Sequence, residues 1–160
     1  MMAIDRILVP HDLGETSAAA AAYAVALART FGADLHFLHV GDAVPMNTAL
    51  GFPLGLEGTS EAGDECLRAV VTPAEQAVLA PRFIVRQGQP AAEIVAYASQ
   101  AQCDLIVMGT HGRGGIEHVV MGSVAEKVVR TASCPVLTVR TRPQPYAVPV
   151  TVSEPAGATA

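Results

Sequence analysis

Residues 103–123 read CDLIVMGTHGRGGIEHVVMGS. The first six form an almost unbroken apolar run, the pattern of a strand covered on both faces. A glycine-rich loop follows, and a helix is expected to open at Ser123 and continue to about Thr131. Gly109, Gly112 and Gly122 can take positive φ and let backbone N–H groups come close to a ligand. The unpaired amides and the dipole of the helix start point the same way. Strand, loop and helix start together make an anion site, and a polyphosphate is its natural guest.

Outward from this stretch the chain alternates between two periodicities. Short β-branched runs at 4–9, closed by Pro10, at 35–40 and at 82–86 predict strands, and a last one opens at Pro135 and closes at Thr141. Between them lie predicted helices. The Ala-rich segment 15–31 should begin at Asp12 or Thr16 and stop at Gly32. A second helix is expected at 60–71, with a break before the capping box Thr72-Pro73-Ala74-Glu75, and a third runs from Pro90 to about Gln100. Segment 41–58, with its Gly and Pro residues, is expected to hold no regular element.

Such alternation predicts an α/β fold: a single doubly wound five-stranded parallel sheet with helices on both faces. It should occupy residues 1–142, leaving 143–160 as a Pro/Ala-rich, poorly ordered tail. In five-stranded sheets of this class the common order is 2-1-3-4-5 or a near relative, and ligands lie beyond the carboxyl ends of the strands where the order reverses. Strand one borders that point. Pro10-His11-Asp12 would therefore face the glycine loop, with Val40 alongside. Asp12 could accept hydrogen bonds from ribose hydroxyls or a base amino group, and the Val40 backbone could meet the base edge. Local competitors exist for two of these residues. Asp12 could cap the first helix, with Glu15 three residues on, and Ser123 could cap the last through a Ser-Val-Ala-Glu126 box.

Composition excludes other classes. The net charge is −5 and Lys127 is the single lysine, so no nucleic-acid surface is expected. Mean hydropathy is +0.36. The longest apolar run, 18–28, is nevertheless too short for a membrane span, and no export signal opens the chain, so a cytoplasmic protein is expected. Cys66, Cys103 and Cys134 lack ligand or CxxC spacing and read as reduced core thiols. His11, His111 and His118 fall near the expected mouth, but no cysteine or carboxylate joins them at a metal-ligand spacing.

The spacing Gly109-x-x-Gly112, nine residues, Gly122-Ser123 resembles the glycine signature of the universal stress protein family, in its ATP-binding branch. Val9-Pro10-His11-Asp12, Leu38-His39-Val40 and Gly88-Gln89-Pro90 are similar to that family's strand-one end, strand-two end and third-helix entry. The resemblance runs from Ala3 to about Thr141 and implies an adenine nucleotide alpha hydrolase-like fold. Carried over, it implies adenine and ribose near Pro10, Asp12 and Val40, phosphates on Gly109, Gly112, Gly122, Ser123 and Val124, and Met108 at the pocket wall. Arg113 could neutralise a phosphate. Two positions depart from the pattern: Gly14 stands where many relatives have serine, and Gln89 where they often have aspartate.

The chain lacks a Walker lysine and the kinase motifs, so binding is favoured over chemistry, with slow ATP hydrolysis as the most it should do. Any Mg2+ would arrive with the nucleotide. The leading expectation is a stress-response regulatory module that binds ATP, dimeric through the edge strand between Pro135 and Thr141. Its alternative is a dimeric interaction module of the same fold that holds no nucleotide. Valine at Gly109 or Gly122 is expected to abolish ATP retention while leaving the domain folded. A response-regulator receiver is disfavoured because strand three ends Val85-Arg86 without an aspartate. Flavodoxin is disfavoured because no Ser/Thr-rich loop follows strand one.

Overall fold

The computed structural model describes residues 3–41, 46–47, 52–53, 65–110 and 121–140. Its main elements are β1 (Arg6–Pro10), α1 (Glu15–Phe31), β2 (Asp34–Gly41), α2 (Pro73–Leu79), β5 (Arg82–Gln87), α3 (Pro90–Gln100), β6 (Leu105–Gly109), α4 (Ser123–Thr131) and β7 (Val136–Val139). A helical turn at 65–68 precedes α2. The tail expected at 143–160 lies outside the described residues.

Five parallel strands form one sheet in the order β5-β2-β1-β6-β7. Counted along the chain this is 3-2-1-4-5, a near relative of the common 2-1-3-4-5 that keeps strand one at the switch point. The first two crossovers step outward in one direction and the chain then returns across β1, so the order reverses between β1 and β6. Alternation along each strand divides the core into two layers, as both faces of a doubly wound sheet must be covered. Ile7, Val9, Leu35, Phe37 and Val107 pack with α1 and with Leu67 and Val71. Leu8, Leu38, Ile106 and Met108 pack with Ala91, Ile94 and Ala98 of α3 and with Ala125 and Val128 of α4.

Local signals set most helix ends. Gly32 closes α1 in the left-handed region, φ 68°, with its N–H bonded to the Ala28 carbonyl. The capping box at Thr72 is complete: its hydroxyl accepts from the Glu75 N–H and the Glu75 carboxylate accepts from the Thr72 N–H. The helix entered at Pro90 starts there as expected, whereas the caps of α1 and α4 differ from expectation. Gly14 caps α1 and Gly122 caps α4, neither with a side-chain bond, so neither Asp12, Thr16 nor Ser123 is the N-cap.

Strand ends also shift. Cys103 stays in the turn after α3, its N–H bonded to the Ala98 carbonyl. Asp104 turns its carboxylate back to accept the N–H groups of Asp5 and Arg6, both at 2.9 Å, so β6 begins only at Leu105. Met46–Asn47 (β3) and Phe52–Pro53 (β4) form a two-residue antiparallel ladder inside the segment expected to be irregular. Cys103 is buried and Cys134 half-buried, but Cys66 is exposed and is no core thiol. Burial holds the Cys103 thiol up at about 11. Among the described residues no helix is long and apolar enough to cross a membrane.

Candidate functional site

The crevice at the switch point follows from unequal ladders. β1 pairs with β2 as far as Pro10↔Leu38 but with β6 only at Ile7↔Leu105 and Leu8↔Ile106. Beyond Leu8 the β1–β6 ladder stops, so the carboxyl ends of the two strands are not paired with one another. On one side stands the turn 10–14, and on the other stand Gly109 and Thr110.

Backbone polarity on β2 adds a third wall. The His11 N–H donates to the Leu38 carbonyl at 2.9 Å, so Leu38 turns its backbone groups toward β1. Strand alternation then turns the groups of Val40 to the same side, past the point where β1 has ended. The Gly88 N–H bond to the Gly41 carbonyl, on the β5 side, fits the same alternation. The Val40 backbone is therefore presented to the crevice, as the base-edge reading requires.

Asp12 sits in the β1–α1 turn, half-buried, and its Oδ1 accepts the Gly14 N–H at 3.0 Å and the Ser17 hydroxyl at 2.6 Å. This turn replaces the capping role weighed for Asp12. Its neighbour His11 is 5% exposed. The His11 Nδ1 accepts the Leu13 N–H at 3.0 Å, so the neutral ring carries its proton on Nε2, which has no partner among the described residues. Burial, helped by His39 and opposed by Asp12, lowers its pKa to about 4, and at neutral pH the ring is uncharged. His39 donates from Nδ1 to the His11 carbonyl at 2.8 Å, tying the ends of β1 and β2 together.

The two ends of the glycine loop are pinned to one another. Gly122 donates its N–H to the Thr110 carbonyl at 2.6 Å, and Thr110, 1% exposed, donates its N–H to the Val139 carbonyl at 3.0 Å. The first turn of α4 thus starts beside the end of β6, and Gly122 brings no side chain to its amides. Ser123 is exposed and Val124 half-buried at that turn. These first-turn amides suit an anion. Gly112, Arg113, His111 and His118 lie outside the described residues.

Neither described glycine of the loop signature uses positive φ. Gly122 is extended, with φ −72° and ψ 157°, and the positive-φ glycines among the described residues are Gly32 and Gly88. Gly109 is required by close packing instead. A Cβ there would stand 2.8 Å from Thr16 Cγ2 and 3.0 Å from both the carbonyl carbon and the oxygen of Thr16. A valine at Gly109 would therefore strike the backbone of α1, which corrects the expectation that such a variant stays folded.

Pro10 is buried at the end of β1, on the α3 side of the sheet by alternation. Met108 is 5% exposed and belongs to the α3–α4 core layer, so it underlies the crevice instead of lining it as an open wall. Val40, Met121 and Val124 pack on the same layer and give the crevice an apolar base. Among the described residues no group of three or more His, Cys, Asp or Glu side chains could hold a metal ion. Three contributors were missed from sequence: Ser17, His39 and Thr110. Ser17 carried a usable signal, a small polar residue five positions beyond Asp12 in the first turn of α1.

Fold and crevice define a class, a doubly wound α/β domain with a carboxylate turn after β1 and the two ends of a glycine loop at β6 and α4, on either side of the switch point. Residues 3–140 match the sequence pattern of the universal stress protein family. The chain is 38% identical over 141 residues to a universal stress protein of Methanocaldococcus jannaschii, covering 84% of this chain and 81% of that one. It superposes on the universal stress protein UspA of Lactobacillus plantarum with a TM-score of 0.62 at 28% identity, covering 86% of this chain and 99% of that one. A universal stress protein solved in complex with cAMP gives a TM-score of 0.64 at 25% identity, covering 88% and 99%. The chain belongs to the universal stress protein family, a family of stress-response proteins.

Proposed function

We propose that this protein binds ATP at the β1–β6 switch point and acts as a cytoplasmic regulatory module whose occupancy changes which partners dock. The observation that carries the reading is the juxtaposition of the Asp12 turn with the uncapped first turn of α4, across a gap the sheet itself leaves open. In this reading Asp12 meets the ribose, Val40 and Pro10 border the base, and Gly109, Gly112, Gly122, Ser123 and Val124 take the phosphates through their amides. Arg113 adds a positive charge to the phosphate end, and Mg2+ is carried by the nucleotide. The relative solved with cAMP supports an adenine nucleotide as the ligand class. Turnover, where it occurs, is slow hydrolysis. The place of β7 at the end of the sheet among the described residues supports a homodimer through that strand.

Titration calorimetry with ATP and Mg2+ on wild type and Gly122→Val tests the reading. The extended φ and ψ of Gly122 suit any residue, so this variant should stay folded while its side chain crowds the α4 amides. Wild-type binding lost in the variant is expected. No binding by the wild type, together with no adenine nucleotide released on denaturing freshly purified protein, would leave the interaction-module alternative standing.

A further inference from the structure

We infer that Ser17 is the positioning residue that fixes the Asp12 carboxylate and thereby sets how strongly the site discriminates for ribose hydroxyls, an inference that rests on the nucleotide reading above. Ser17 lies in the first turn of α1 and is 4% exposed. Its Oγ is 2.6 Å from Asp12 Oδ1 and 2.9 Å from the Gly14 carbonyl oxygen. A hydroxyl has one proton to give, and the shorter, charge-assisted bond to the carboxylate takes it.

The same Oδ1 accepts the Gly14 N–H at 3.0 Å. One backbone donor and one buried side-chain donor on a single oxygen set both torsions of a short side chain. They hold the plane of the carboxylate and hence the direction of Oδ2.

Gly14 shows why the hydroxyl comes from position 17. A Cβ at 14 would stand 3.0 Å from Asp12 Oδ1 and 3.4 Å from Oδ2, a tight approach to the carboxylate as it is placed. A side chain at 14 would require the carboxylate to give by a few tenths of an ångström. Ser17 reaches the same oxygen from one turn further along the helix, where the backbone keeps its distance. Asp12 thus keeps a buried hydroxyl partner with glycine at position 14.

The experiment measures the affinities of ATP and 2′,3′-dideoxy-ATP, each with Mg2+, for wild type, Ser17→Ala and Ser17→Thr, together with hydrogen exchange at the Gly14 amide without ligand. Loss of the Ser17 hydroxyl should weaken ATP about tenfold and leave the dideoxy analogue unchanged, while threonine restores the preference. Gly14 should exchange about tenfold faster in Ser17→Ala, because its acceptor is no longer held. Equal weakening of both nucleotides, an unaltered preference, a wild type without ribose preference, or unchanged Gly14 protection would each overturn the inference. If the wild type binds no nucleotide, the nucleotide reading fails and with it the selectivity role, while Gly14 exchange still decides whether Ser17 holds Asp12.

Discussion

Gly109→Ala should destabilise the domain far more than its single methyl suggests. The added Cβ would meet Thr16 at 2.8 Å from Cγ2 and at 3.0 Å from the carbonyl carbon and oxygen, against an ordinary carbon contact of about 3.5–4.0 Å. Thr16 Cγ2 can rotate away, but the Thr16 carbonyl belongs to the first turn of α1 and moves only with the helix. Overpacking of this kind costs about 1–3 kcal/mol, and the rigid backbone partner places this case near about 2 kcal/mol. For a domain of this size that lowers Tm by about 4–8 °C. Thermal melts followed by far-UV circular dichroism should show it. Thr16→Ser in the Gly109→Ala background removes Cγ2 alone, so it should return less than half of the loss. A Tm within about 1 °C of wild type, or complete recovery by Thr16→Ser, would refute the argument that the helix backbone sets the limit.

Acid should weaken the fold through two buried imidazoles. His11 is held at about 4 by burial, and burial also lowers the pKa of His36, with Arg82 and Arg6 adding to the effect. Both titrate near 6.5 once unfolded, so the unfolded chain binds more protons below that pH. The stabilisation is fully present above pH 6.5 and is lost as pH falls toward 4, by at most about 3 kcal/mol for His11. Urea melts between pH 7.5 and 5 should show the decline and a shallower one in His11→Asn; a flat wild-type profile sinks the assignment. At the sheet edge, the carbonyls of Pro135 and Val139 accept from Ile106 and Thr110, so residues 135, 137 and 139 face β6 and the amides of 136 and 138 face outward. Thr138→Pro should therefore yield a folded monomer by light scattering, whereas Leu137→Pro should disrupt β6–β7 pairing; an unchanged dimer mass in Thr138→Pro removes the edge-strand interface.

What was legible in the sequence is what short-range chemistry decides. Gly32 and the Thr72–Glu75 box are closed within a few residues of themselves, and both formed as read. The start of α1 had no such signal, since Gly14 caps it without a side-chain bond. Asp104 was read as part of a strand because its partners, the amides of Asp5 and Arg6, are about a hundred positions away along the chain. Strand order was left open between 2-1-3-4-5 and its near relatives on similar grounds: alternating βα units fix parallel pairing and crossover hand but not which side of β1 each later strand takes. In the candidate site the positions of Asp12, Val40 and Gly122 were readable, while the reason for Gly109 was not. Thr16, which makes glycine necessary there, is remote in sequence and gives no local sign.

The same non-local packing gives the crevice its shape. Because a side chain at Gly109 would strike Thr16, the end of β6 can lie tight against the first turn of α1, the turn that also carries Ser17 and, through it, Asp12. The Thr110 carbonyl then receives the Gly122 N–H, which sets the start of α4 relative to the same contact. Asp12 and the α4 amides are thus referenced to one packing point and not to two independent loops. A methyl at Gly109 should consequently change nucleotide affinity even in protein that remains folded, because it displaces both walls together. Gly122→Val acts at one wall alone, so the two variants should separate in their effects on stability while agreeing in their effect on ATP.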